Sequence, residues 1–222
     1  MNQRLCKLYK KHWDSMIFSL KENELGNPLL LYIKDEEKYE NADIKIMFFG
    51  QETNEWEGQL GSKSIDELLE TYSNFLDGKY SGQFWNSVRD YVSTIKEMNP
   101  NKSVEYVWNN IIKIGKEKGK GAPKQNLVDL QKEVFPVIRQ EVEILKPNLI
   151  IFFSGPNYDQ YIEKEWDELL ISEIDNFNVR QLALVKHRSL PINTFRTYHP
   201  NYLYRQGKVY FSNIKDAIIA NK

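Results

Sequence analysis

Two short runs of unbroken apolar residues constrain this chain more than any other feature. One is Ile46-Met47-Phe48-Phe49, stopped by Gly50; the other is Leu149-Ile150-Ile151-Phe152-Phe153, stopped by Ser154-Gly155-Pro156. Successive side chains of a strand point to opposite faces, so a strand apolar at every position is buried on both. Each run is about a quarter of what a membrane-spanning helix needs. They therefore predict central strands of a sheet covered on both sides, each opening into a loop.

The segments between them read mostly as helices. Residues 3–25 place Leu5, Leu8, Trp13, Met16, Ile17 and Leu20 near helical spacing, ended by Gly26-Asn27-Pro28. Ser64 suits an N-cap for a helix closed by Gly78, and residues 84–98 form another, ended by Asn99-Pro100. Residues 104–114 are apolar and β-branched around Asn109-Asn110, predicting a strand that breaks into the lysine-rich loop 115–123. Residues 127–145 carry one apolar stripe that Pro136 kinks or splits. A strand at 148–153, a helix at 158–170 and strands at 182–185 and 193–197 complete the set.

Strands alternating with helices predict an α/β fold: a three-layer α/β/α sandwich with a central, mostly parallel sheet. The length suits one domain over residues 1–222, with an N-terminal helical segment of about 40 residues. Ligands of such sheets bind beyond the carboxyl ends of the strands. Segments 50–54, 110–113, 154–157 and 197–201 all follow strand-like runs, so they are the candidate site.

Net charge is −1, which makes no global case for a polyanionic partner. Locally, residues 186–208 hold five Lys or Arg and no acid, and residues 102–124 hold six Lys against two Glu. Such stretches suit a phosphate backbone or, equally, solvated loops. The single Cys6 excludes an internal disulfide and any multi-cysteine metal or iron–sulfur site. His12, His187 and His199 lack metal-site spacing, and neither a phosphate-binding loop nor a dinucleotide fingerprint is present. With no apolar leader core, a cytoplasmic protein is expected.

Two segments hold the residue types that chemistry needs. In Thr197-Tyr198-His199-Pro200-Asn201 the proline restricts His199 to extended or turn backbone and so fixes where its imidazole points. In Gly50-Gln51-Glu52-Thr53-Asn54 a carboxylate and two amides follow a buried strand. The plainer readings, a structural turn and an ordinary strand-to-loop turn, stay open for both.

Together these segments resemble the uracil-DNA glycosylase superfamily. Its members carry a first motif such as Gly-Gln-Asp-Pro-Tyr after the first strand and a second, His-Pro-Ser or Tyr-His-Pro-Ala, near the C-terminus. Residues 195–205, Phe-Arg-Thr-Tyr-His-Pro-Asn-Tyr-Leu-Tyr-Arg, look like the second motif of the iron–sulfur branch. Residues 144–152 and 106–113 are similar to two further segments of that branch, so the resemblance spans roughly residues 44–208. Thr53 and Asn54 stand where the family has proline and tyrosine, and the cluster cysteines are absent.

The resemblance implies a DNA-base glycosylase with DNA as partner, needing no metal and no cofactor. Its roles fall on Glu52 for positioning water and His199 for stabilising the departing anionic base. Gln51, Asn54, Asn110 and Phe84, with Trp85 as the alternative ring, would bind the base, the Asn110 amide reading its edge. Lys113, Arg196, Tyr202, Leu203 and Arg205 would meet DNA, Tyr202 or Leu203 entering the stack as the base is extruded. The altered first motif supports, as the alternative reading, a catalytically inactive member of the same fold that binds nucleic acid or a nucleotide.

Overall fold

The structure, a computed structural model, describes residues 1–78, 80–174 and 176–221. Among them the chain is an α/β protein with a central six-stranded, mostly parallel sheet and helices packed on it. The strands are β1 (Ile44–Asn54), β2 (Val104–Lys116), β3 (Leu149–Phe153), β4 (Leu170–Glu173), β5 (Leu182–Lys186) and β6 (Thr194–Thr197). Their order is β2-β1-β3-β6-β5-β4. β1 pairs with β3, and β3 with β6, in parallel; Phe49 stands beside Phe152 and Phe153 beside Thr197. Ile44 N–H donates to Ser103 O and Glu55 N–H to Lys116 O. Partner numbers that rise together make β1 and β2 parallel as well. β5 runs antiparallel to both β6 and β4.

The described helices are α1 (Asn2–Leu20), α2 (Glu36–Glu40), α3 (Ile65–Asp77), α4 (Gln83–Met98), α5 (Gln125–Val134), α6 (Ile138–Leu145), α7 (Asp159–Glu165), α8 (Pro200–Gln206) and α9 (Lys208–Ala220). The chain divides into two compact units. The first holds residues 1–36, 51–78 and 109–145; the second holds 37–50, 79–108 and 146–222.

In the second unit the two apolar runs behave as their composition demands. Phe48 and Phe153 stack at 5.7 Å, while their strand neighbours Phe49 and Phe152 stack at 4.7 Å, and all four rings are fully buried. Adjacent positions point to opposite faces, so both faces are covered. Tyr91 of α4 meets Phe153 and Phe48, with Phe211 of α9 against it, and Trp166 sits edge-on to Phe49 and Phe152. Each such buried ring contributes about 1.5–3 kcal/mol of transfer free energy.

In the first unit α1 packs on α5 and α6 and buries Leu5, Leu8, Tyr9, Met16 and Leu20, and Tyr9 stacks on Phe135. α3 opens with the capping box that Ser64 predicts: Glu67 N–H donates to Ser64 Oγ, and Ser64 N–H donates to the Glu67 carboxylate. Pro136 falls between α5 and α6, as its missing N–H requires.

Several expectations need correction. α1 stops at Leu20, because the chain turns there before the isolated bridge of Leu25 to Lys116. The helix expected over 158–170 is a 3₁₀ turn at Pro156–Tyr158 followed by α7, which ends at Glu165. Trp166 is extended and Glu168 has φ 59°, and Leu170 then opens β4 against β5. β1 and β2 run to Asn54 and Lys116, so segments 50–54 and 110–113 are strand rather than loop. Among the described residues no helix is long and apolar enough to cross a membrane.

Candidate functional site

The second unit gathers the chemistry at the carboxyl ends of β3 and β6. Gly155 N–H donates to Thr197 O, which ties the two strand ends together. Gly155 has φ +74°, and a Cβ there would stand 3.2 Å from Tyr198 Cδ1, so glycine serves both the turn and the approach. Two residues on, Pro200 opens α8 and His199 becomes its N-cap. Asn201 N–H donates to His199 Nδ1 at 3.2 Å. Burial, and then the Arg205 charge, lower the His199 pKa to about 4. The ring is therefore neutral at pH 7, and an accepting Nδ1 leaves its proton on Nε2. Among the described residues Nε2 has no hydrogen-bond partner.

An aromatic wall stands beside it. The Phe84 ring lies 5.9 Å from the His199 ring at an interplanar angle of 26°, and packs edge-on against Phe153 and Trp85. Trp85 in turn meets Trp108 at 5.1 Å. Phe84 and Trp85 open α4 just after Gly82, whose φ of 110° brings the chain round into the helix. Tyr202 is 38% exposed, with its ring 4.3 Å from that of Tyr198. Arg205 is exposed, its Nε–H donating to Asn201 O. A neutral N–H donor among ring faces can hold a flat heteroaromatic group and stabilise negative charge gathering on it.

Three residues expected at a DNA surface are corrected. Lys113 is 2% exposed and donates to both carboxylate oxygens of the fully buried Glu141, at 2.8 and 3.0 Å. It also donates to Asn109 Oδ1 at 2.8 Å. Glu141 accepts further bonds from Tyr9 Oη and Asn109 Nδ2, and burial followed by the Glu141 charge pushes the Tyr9 phenol up. Lys113 is thus an internal cation of the first unit, turned from any phosphate. Arg196 is 1% exposed; its Nε and Nη2 fork onto Asp159, and its Nη1 donates to Arg180 O. Leu203 is fully buried in the apolar core of the second unit.

Residues 51–54 of the first motif lie in the first unit as strand. Gln51 and Glu52 are half-buried, Asn54 is exposed and Thr53 is 3% exposed. Thr53 Oγ1 accepts from Gly115 N–H at 2.6 Å. A Cβ on Gly115 would stand 1.7 Å from Thr53 O, so this crossing admits glycine alone. Asn110 is 2% exposed inside β2, its N–H donating to Asn109 Oδ1, and presents no amide to solvent. Among the described residues no group of three His, Cys, Asp or Glu side chains could hold a metal ion.

Sequence reasoning missed Trp108, Tyr198 and the Asn109–Lys113–Glu141 cluster. Trp108 carried a signal, an aromatic ring at the start of a polar pair on a strand. Glu141 gave none, because an acid on an amphipathic helix reads as solvent-facing. No protein-family model matches the chain, and no curated protein matches it significantly.

Proposed function

We propose that the second unit binds a planar nucleobase, and that the chain is a DNA-base glycosylase of the uracil-DNA glycosylase-like fold. It would hydrolyse the N-glycosidic bond of uracil or another deaminated or damaged base. One observation carries the reading: the His199 ring lies 5.9 Å from the Phe84 ring with its Nδ1 accepting from Asn201 N–H, an arrangement that suits a neutral imidazole offering Nε2–H. In the reaction the bond between C1′ and the base nitrogen breaks, and its electron pair leaves with the base. A neutral donor stabilises charge developing on a base oxygen without surrendering its proton, and such a preorganised donor is worth about 10²–10³ in rate. Water then adds to C1′ of the oxocarbenium-like sugar and loses a proton, and the departed base anion takes up a proton, so the products are an abasic sugar and the free base. The mostly parallel sheet, with His199 following its β6 strand, supports the same reading.

A second reading has its own observation. Segment 51–54 is strand, and the Thr53 hydroxyl is engaged with Gly115, which suits a base-binding protein without turnover. Oligonucleotides containing uracil, hypoxanthine or xanthine, incubated with the protein and cleaved in alkali, separate the two. Strand scission lost on His199→Gln supports the glycosylase, and Glu52→Gln tests the first motif independently. Binding without an abasic product from any substrate, single- or double-stranded, supports the second reading and refutes the enzyme.

A further inference from the structure

α1 carries Arg4, Lys7, Lys10 and Lys11 within its first turns, all four exposed. Among the described residues none of them makes an ion pair. At about 100° per residue, Arg4, Lys7, Lys11 and Phe18 fall within about 60° of arc on the helix. Phe18 is 84% exposed. Beside this stripe runs a groove of about 350 Å³, lined by Arg4, Lys7 and Lys11 with Gln140, Glu143 and Ile144. The acids nearby are few: Asp14 borders the stripe on α1, and Glu143 pairs with Arg139 at 3.6 Å.

We infer that this face of α1 docks a single-stranded nucleic acid, with phosphates on Arg4, Lys7 and Lys11 and a base on Phe18. Charge complementarity selects a polyanion. Lys7 and Lys11 are about 6 Å apart along the helix axis, close to the step between neighbouring phosphates of an extended strand. An exposed ring on the same stripe offers a stacking face, the second element of single-strand sites. An anionic membrane fits less well, because the apolar face of α1 is buried in the first unit and only Phe18 remains to insert. The inference goes beyond the base-handling site, resting on a different unit and on different residues.

The test is fluorescence anisotropy of a labelled oligothymidine with the full chain, between about 50 and 200 mM salt. Replacing Arg4, Lys7 and Lys11 together by alanine should lower the log–log salt slope by about two, from three phosphates at about 0.7 each. Phe18→Ala should weaken binding roughly tenfold at an unchanged slope. All four positions are exposed, and circular dichroism verifies that the variants fold. Burial, and then the Lys11 charge, hold the His12 pKa down, so a strand seated on Lys11 raises it, as the ring proton resonances report. No binding, or a triple variant with the wild-type slope, overturns the inference. So does loss of binding to phosphatidylserine vesicles in the triple variant while oligonucleotide binding persists. Failure of base excision leaves these outcomes intact, and failure here leaves excision intact.

Discussion

Replacing Lys113 by methionine tests whether this lysine is an internal cation or a surface contact. Glu141 is fully buried and Lys113 is 2% exposed, and their charged atoms meet at 2.8 and 3.0 Å. Methionine keeps most of the stem volume and removes the charge, leaving the carboxylate with the Tyr9 hydroxyl and the Asn109 amide as neutral donors. Neutral hydrogen bonds contribute about 0.5–1.5 kcal/mol each, too little to offset a buried charge without its counter-ion. Breaking such a pair from one side costs about 3–5 kcal/mol, whereas replacing both partners by apolar groups is often close to neutral. Lys113→Met should therefore lower the unfolding free energy by about 3–5 kcal/mol, read as a lower urea midpoint at an unchanged slope, and Lys113→Met with Glu141→Leu should recover most of the loss. Urea unfolding followed by far-UV circular dichroism measures both. A single variant within about 1 kcal/mol of wild type, or a double variant whose losses simply add, would refute the buried pair.

Other outcomes follow from single positions. The His199 pKa is held at about 4 against an ordinary 6.5, so between those values the unfolded chain binds a proton that the folded chain does not. Stability from this group is complete above the upper value and falls as pH drops through the window, by about 3 kcal/mol in all. His199→Gln should flatten that part of a stability–pH curve, and an unchanged curve would contradict the burial. Gly115→Ala drives a Cβ to 1.7 Å from Thr53 O, so the variant should be insoluble or lose more than about 4 kcal/mol. A normal melting curve would rule out that close crossing. Arg196→Lys loses the two-pronged grip on Asp159 and should destabilise by about 1–3 kcal/mol in urea.

What was legible in the sequence follows from which physical signals are local. Phe48-Phe49 and Phe152-Phe153 announce double-faced burial because the strand period is two, and the structure covers both faces. Ser64 and Pro136 speak for themselves because capping and a missing N–H act within one turn. β4 was illegible: Leu170-Ile171 is a short apolar pair whose state is set by pairing with Val185 and Lys186, sixteen or so residues away. Lys113, Arg196 and Leu203 misled for one reason. A cation's type does not say whether an acid from a distant element, Glu141 or Asp159, meets it inside, and Leu203 is core by its helix face alone. His199 was legible as a residue but not as a neutral donor, since that depends on burial and on Asn201 N–H.

Long-range proton–nitrogen NMR of the imidazoles reads most directly whether His199 is neutral with an Nε2–H that meets a nucleobase. The expected result is an Nε2–H tautomer that persists until the pH falls to about 4. Added free uracil should shift Nε2 and leave Nδ1 in place, with the effect weakened in Phe84→Leu. Titration of His199 near the ordinary 6.5, or an Nδ1–H tautomer indifferent to uracil, would contradict it.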